Sequence, residues 1–220
     1  MASFEEKIHE GIVLSEKIFK LGMELVNQLP KADESKETES NRRAIAKGFL
    51  ITSLQLSGQI IKAISNGSLS LSIVGLRSLL EFSINANYVF DHPKHKQDFL
   101  WIDPICDDIF KRTNDLGMMK SLLGGVSLKQ RAIDIDRKDL YEQNYASLCD
   151  YAHLILRQPF LNNRETFEKL SVDGISQSLC NLVGVLDSIK LCFNLTWEQG
   201  VIDEVISYRD KYETPQVHKA

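Results

Sequence analysis

The stretch that decides the fold is "SIVGLRSLLEFSINANYVF", Ser72–Phe90, in which apolar residues cover most of the circumference of a predicted helix. A helix that is apolar on nearly every side is predicted to lie at the centre of a helical protein. Arg77 and Glu81 interrupt the pattern one turn apart, a spacing at which the two side chains can meet. Because an unpaired buried charge is costly, we expect both charges to be at least partly buried and to have partners.

Two roles for this pair stay open. In the first, Arg77 and Glu81 form a structural ion pair that fixes the register of the helix. In the second, they line a polar pocket in the bundle, where Arg77 binds an anionic group and Glu81 orients it. Ser78 and Asn85, on the Glu81 side of the helix, would extend such a pocket.

Helical periodicity extends over nearly all of the 220 residues. No convincing run of alternating strand residues occurs, and the best candidate, "VSLKQRAIDID", is short and charged. The sequence therefore predicts an all-α protein, an antiparallel bundle of five or six helices. Three stripes of apolar residues support this prediction, namely Leu14, Ile18, Leu21 and Leu25, then Ala46, Leu50, Leu54, Ile61 and Ile64, and finally Ile175, Leu179, Leu182, Leu186, Ile189 and Phe193.

We expect a single domain over residues 1–220. It divides into an N-terminal helix (1–30), a charged mobile linker (31–40, "KADESKETES"), a helical core (41–208) and a frayed tail (209–220). Within the core, "SNGS" (65–68) is predicted to be a turn, and "KQRAIDIDRK" (129–138) a solvated loop. A further helix is predicted from about Asp136 to Arg157, and "WEQG" (197–200) is placed near the end of the last helix.

Composition and charge argue against several classes of protein. The formal net charge of −4 gives no basic footprint, so nucleic acid is not an expected partner. "MASFEEKIHEG" lacks the basic head and apolar block of a secretory signal, and charges break the apolar stretches before they reach membrane-helix length. Four widely spaced cysteines (Cys106, Cys149, Cys180 and Cys192) are typical of buried free thiols in a reducing compartment. We therefore expect a cytoplasmic protein without membrane contact.

A second group of polar residues lies in "YEQNYASLCDYAHLILR", where Tyr145, Cys149 and His153 share one strip of a predicted helix. A Cys–His pair one turn apart could supply a nucleophile and its base. No strained turn presents the thiol, however, so Cys149 is predicted to pack as a small hydrophobic residue. His153 is predicted to be hydrogen-bonded across the bundle, with Glu81 as a candidate partner.

These two helices together resemble an uncharacterised family of bacterial helical proteins. The resemblance rests on Leu-Arg-x-x-x-Glu, ending at Glu81 and followed by "NYVFDHP", and on Tyr-x-x-Leu-Cys-x-x-x-His, ending at His153. It covers about residues 41–196. It implies an all-helical bundle in which Arg77, Glu81, Tyr145 and His153 face one another.

More distantly, the chain is similar to HEPN-type bundles, which dimerise and in many cases cleave RNA in toxin and phage-defence systems. Their nuclease motif is Arg, four to six residues, then His. That motif is absent from this sequence, and its closest approach runs from Asn87 to His92 with Asn where the family needs Arg. This departure from the family argues against ribonuclease activity and leaves an inactive or regulatory relative open.

Metal and cofactor chemistry is not expected. His92 and His95, flanked by Asp91 and Asp98, could ligate zinc or iron, but a polar loop of this composition is usually solvated. The Glu-x-x-His spacing at Glu6–His9 and a comparable Asp-x-x-His pair lack the matching glutamates of a di-iron bundle. No phosphate-binding glycine loop or Gly-x-Ser-x-Gly motif occurs. We expect no cofactor and no metal.

The leading hypothesis is a helical protein that acts by association, as a homodimer or with a protein partner, in a bacterial defence or regulatory system. The alternative is an enzyme or small anionic-ligand binder that uses Arg77, Glu81, Asn85, Tyr145 and His153.

Overall fold

A computed structural model describes residues 2–30, 37–91, 127–145, 148 and 164–212. All regular secondary structure in these ranges is helical, in agreement with the predicted all-α class. The elements are six α-helices and two π-helical segments, in the order α1 (Phe4–Gln28), α2 (Glu37–Ser65), α3 (Leu69–Ala86), π1 (Asn87–Asp91), α4 (Leu128–Asp134), π2 (Leu140–Tyr145), α5 (Arg164–Phe193) and α6 (Gln199–Tyr212).

The three predicted apolar stripes form the core of the bundle. Leu14, Ile18, Leu21 and Leu25 of α1 are all buried, as are the predicted core residues of α2, including Leu50. On α5 the stripe is buried up to Ile189. The start of α1 follows from its sequence, since Ser3 and Glu6 form a capping box that satisfies backbone amides of the first turn.

α2 and α3 form an antiparallel hairpin. The predicted "SNGS" turn joins them, and Gly67 adopts the left-handed conformation that glycine tolerates best. The pairing is antiparallel because the early part of α3 meets the late part of α2: Gly75 lies against Ile60, and Phe82 contacts Phe49. α3 also packs against α5, which places it centrally, as its apolar circumference predicts.

α5 departs from a purely antiparallel arrangement. Phe4 contacts Phe167 and Gly11 lies against Ile175, so α1 and α5 run in the same direction. α3 also runs parallel to α5, since Gly174 faces Leu76 and Gly184 faces Ser83. Among the long helices, α2 is the one that opposes these three.

The region around "KQRAIDIDRK" was predicted to be a solvated loop, and that prediction is wrong. Residues Leu128–Asp134 form α4, capped by Ser127, whose hydroxyl accepts a hydrogen bond from the Gln130 amide. α4 buries Arg131 and Ala132 against the rest of the protein. Asp136 then takes a left-handed backbone conformation (φ 57°), so the chain turns after α4. Helical structure resumes two residues later, at Lys138, and continues into π2, in agreement with the predicted helix start near Asp136.

The carboxyl-terminal part of the core also differs from the prediction. α5 ends at Phe193, Asn194 is left-handed (φ 51°), and a separate helix, α6, continues to Tyr212. Residues 209–212 of the predicted frayed tail are therefore helical. They are held to α1 because Tyr212 and Lys211 both donate hydrogen bonds to the Glu10 carboxylate.

α2 begins at Glu37, so the last four residues of the predicted linker are helical, while 31–36 lie outside the described residues. The predicted polar loop from Asp91 to Asp98 lies outside them, apart from the backbone of Asp91. The number of five or six helices and the HEPN-like arrangement stay predictions.

Two helical stretches, Arg43–Ser65 and Leu69–Phe90, are long and apolar enough to cross a membrane by length and composition alone. Their apolar windows are 39% and 50% buried within the protein, and core helices of a bundle satisfy the same test. The expectation of no membrane helix rested on uninterrupted apolar runs, whereas each of these stretches includes 18 residues with at most two charges.

Candidate functional site

The structure brings Arg77, Glu81 and Tyr145 into one hydrogen-bonded group, here named the Arg–Tyr–Glu cluster. The Tyr145 hydroxyl donates to Glu81 Oε1 at 2.7 Å and accepts from Arg77 Nη2 at 3.1 Å. Arg77 Nε also lies 3.4 Å from Glu81 Oε1, so the two charges form an i, i+4 ion pair within α3. The three residues thus make a closed triangle between α3 and π2.

Local structure explains how Tyr145 reaches α3. It is the last residue of π2, and its ring stacks on Tyr141 with centroids 5.1 Å apart. The Arg77 guanidinium carbon lies 5.3 Å from the centroid of the Tyr145 ring, a cation–π distance. The tyrosine therefore contacts Arg77 through both its hydroxyl and its ring.

The cluster sits at the edge of the bundle. The side chains of Arg77 and Glu81 are 40% and 36% exposed, so the two charges are partly buried and still meet solvent. Burial raises the pKa of the Tyr145 hydroxyl, the Glu81 hydrogen bond raises it further, and Arg77 opposes the rise. The phenol consequently stays protonated at neutral pH and serves Glu81 as a hydrogen-bond donor.

Asn85 belongs to a neighbouring contact. Its side-chain oxygen accepts a 2.6 Å hydrogen bond from Arg131 Nη1 of α4. Arg131 is 7% exposed, and burial lowers its pKa, while nearby Tyr88 and Glu81 oppose this change. The interaction of Arg131 with Glu81 places a second guanidinium beside the Arg–Tyr–Glu cluster.

Arg131 is the residue of this region that sequence reasoning missed. The signal available in the sequence was Ala132 and Leu128 within "VSLKQRAID", an apolar pair at helical spacing after a serine cap. Ser78, by contrast, was predicted to extend the site, but its hydroxyl donates to the Val74 carbonyl of its own helix. His153 and Cys149 lie outside the described residues, and Tyr145 makes the hydrogen bond to Glu81 that was considered for His153.

Metal ligands do not gather in the part of the chain that the structure describes, where no group of three or more His, Cys, Asp and Glu side chains could hold an ion. The histidines and aspartates at 91–98 and the pair Asp150–His153 lie outside this part, apart from the backbone of Asp91. Cys180 and Cys192 are both half-buried.

A polar cleft of about 440 Å³ lies between π1, π2, α5 and α6, with Ser83 of α3 in its lining. Asn87 closes one side of it, with its side-chain oxygen accepting from Ser188 and its amide donating to the Ser83 carbonyl. Arg137, Asn144, Gln177 and Asn181 line the remainder. None of these residues was predicted as part of a site, because they lie far apart in the sequence.

In comparisons of this chain with known proteins, no protein-family model, curated protein or solved structure matches it.

Proposed function

We propose that this chain acts by association, as a homodimer formed through the exposed apolar strip of α3. The supporting observation is the exposure of Leu71 and Val74, which are 68% and 56% exposed on adjacent turns. A single exposed aliphatic residue is ordinary, but two on neighbouring turns of a core helix favour contact with another protein surface.

The charges beside this strip favour a second copy of the chain as the occupant. Arg77 and Glu81 lie one turn apart on the same helix, half-exposed and of opposite sign. A two-fold axis brings identical surfaces together, so Arg77 of each copy can face Glu81 of the other. The aliphatic stem of Arg77 can at the same time cover apolar surface of the facing helix.

The biological setting follows from the resemblance to HEPN-type bundles, which dimerise. This resemblance supports a cytoplasmic homodimer in a bacterial defence or regulatory system, with a HEPN-like arrangement of its helices. The missing Arg-to-His nuclease motif supports a role without RNA cleavage.

Analytical ultracentrifugation over a range of concentrations tests the homodimer. We expect a dimer for the wild type and a monomer for Leu71→Glu combined with Val74→Glu, because burying two carboxylates at the interface is costly. The matched control is Leu191→Glu on α5, where Leu191 is 53% exposed, and it should stay dimeric. A wild type that is monomeric throughout, or a double variant that dimerises like the wild type, would overturn the proposal.

A second candidate function is binding of a small anionic ligand at the Arg–Tyr–Glu cluster. The partial exposure of Arg77 supports it, since solvent and small ions reach the guanidinium. Phosphate titration followed by calorimetry should then show binding that is lost in Arg77→Met. Equal binding by the variant would exclude this site.

A further inference from the structure

The polar cleft has features of a ligand-binding site, which is a role separate from homodimer formation. Its volume, about 440 Å³, falls within the range of small-molecule sites in proteins. Its lining residues come from α3, π1, α5, α6 and the segment 137–144, so the cleft is formed by the fold itself. Neither Leu71 nor Val74 lines it, and the dimer strip is therefore a separate surface.

Several polar groups of the cleft lack a protein partner. Ser176 is 1% exposed, and its hydroxyl has no hydrogen-bond partner among the described residues. The side-chain amides of Asn144, Gln177 and Asn181 likewise make no hydrogen bond within the described ranges. Buried polar atoms are normally satisfied, so the unpaired Ser176 hydroxyl points to a missing polar partner, and the amides beside it are accessible to the same partner.

The charge of the cleft favours an anion. Arg137 lines it, and its guanidinium forms no ion pair with any residue that the structure describes. Arg209 adds a second cation, although Asp210 accepts its hydrogen bonds at 2.8 and 3.0 Å. The acidic residue in the lining is Asp187, and Lys190 lies 3.9 Å from its carboxylate.

We propose that the polar cleft binds a small organic anion. A phosphate or carboxylate group pairs with Arg137, because guanidinium and these anions form strong charge-assisted hydrogen bonds. An uncharged part of the same ligand forms hydrogen bonds with the side-chain amides of Asn144, Gln177 and Asn181, which offer both donors and acceptors. A ligand with only the anionic group, or with only the uncharged part, would form only some of these contacts and should bind more weakly.

Nitrogen-15 NMR of the full chain tests this proposal, because the side-chain amide groups of the three residues give their own resonances. The probes are adenosine monophosphate, which carries a phosphate and a neutral ring, and hippurate, which carries a carboxylate and an amide. Adenosine carries only the uncharged half of such a ligand, and inorganic phosphate carries only the charged half. We expect saturable shifts of these amide resonances with adenosine monophosphate, hippurate or both, and much weaker shifts with either half.

Two variants locate the binding. Arg137→Ala should weaken it by about tenfold or more, because it removes the charged hydrogen bonds. Gln177→Ala should reduce the shift at Asn181, and Arg164→Ala, an exposed arginine outside the cleft, should change nothing. Absence of any shift with both probes overturns the proposal. So does loss of binding in Arg77→Met with retention in Arg137→Ala, which would move the ligand to the Arg–Tyr–Glu cluster.

Discussion

Tyr145 donates a 2.7 Å hydrogen bond to Glu81 across 64 positions of sequence. Because the same hydroxyl accepts from Arg77, it ties π2 to both charges of α3. Tyr145→Phe should lower the free energy of unfolding by about 1 kcal/mol, the usual contribution of one hydrogen bond. Urea unfolding measures this change. In an Arg77→Met background the same substitution should matter less, and equal effects in both backgrounds would show that the residues are uncoupled.

Arg131 should be the most sensitive charged residue of α4. Its guanidinium is buried and donates to Asn85, so Arg131→Met leaves the Asn85 oxygen without its donor. We expect a loss of about 1 to 3 kcal/mol in unfolding free energy. Lys129→Met on the same helix is the control, because its side chain is 52% exposed and such changes stay within about 0.5 kcal/mol. Equal stability of both variants would contradict the buried role.

Gly11 marks a close approach of α1 to the core. A Cβ there would lie 2.6 Å from Ile175 Cγ2 and 3.0 Å from the Tyr208 hydroxyl. Gly11→Ala should therefore lower the melting temperature, because overpacking of a tight core typically costs about 1 to 3 kcal/mol. Gly58→Ala in α2 meets open space and should raise stability by up to about 1 kcal/mol through helix propensity. We expect calorimetry to show a lower melting temperature for Gly11→Ala and a higher one for Gly58→Ala.

The core also contains a pair of hydroxyls. Ser57 of α2 and Ser178 of α5 lie 3.0 Å apart and are both buried. Replacing either one by alanine should cost about 1 to 2 kcal/mol, while replacing both should cost less than the sum, since no hydroxyl is left unpaired. Ser53 is the control, because its buried hydroxyl already lacks a partner among the described residues, and Ser53→Ala should be neutral or stabilising. Chemical denaturation of the four variants tests the set.

Glu10 gives the fold a pH dependence. Burial alone would raise the pKa of its carboxyl, but hydrogen bonds from Tyr212 and Lys211, with the Lys211 charge, outweigh burial and lower it. A lowered pKa stabilises the fold above the unfolded value, about 4.3, and this contribution fades as pH falls through the folded value. Glu10→Gln should therefore be less stable than wild type at pH 7, with a difference that vanishes in acid.

Urea midpoints measured from neutral to acidic pH test this prediction. Glu24→Gln on the exposed side of α1 serves as the control, because Glu24 makes no ion pair within the described residues. A Glu10→Gln difference that stays constant with pH would contradict the role of the charge.

Sequence patterns predicted the parts of the fold whose signal is local. The stripe from Leu14 to Leu25 on α1 and that of α2 are confirmed because helical spacing of apolar residues determines which face is buried. The central position of α3 followed from the same rule. Arg77 and Glu81 were found from their contrast with apolar neighbours, and their mutual contact follows from spacing alone.

What could not be predicted depends on contacts between distant segments. Arg131 lies in a charged stretch of sequence, which predicts exposure to solvent. Its burial depends on packing against a distant segment, where Asn85, 46 positions away, accepts its hydrogen bond. The break after Phe193 depends on a left-handed Asn194, a conformation that asparagine tolerates but does not dictate. The polar cleft could not be predicted for the same reason, since residues from widely separated parts of the chain line it.

The attachment of α1 to α5 and α6 has a consequence for biosynthesis. Tyr208 donates to the Lys7 carbonyl across 201 positions, so this contact forms only after nearly the whole described chain has been translated. At roughly 5 to 20 residues per second, the interval is on the order of 10 to 40 s. Of the described helices that pack against α1, which are α2, α5 and α6, α2 is the only one that has been synthesised during most of this interval. The nascent amino-terminal helix thus exposes part of its apolar face for many seconds, which makes it a natural substrate for chaperones.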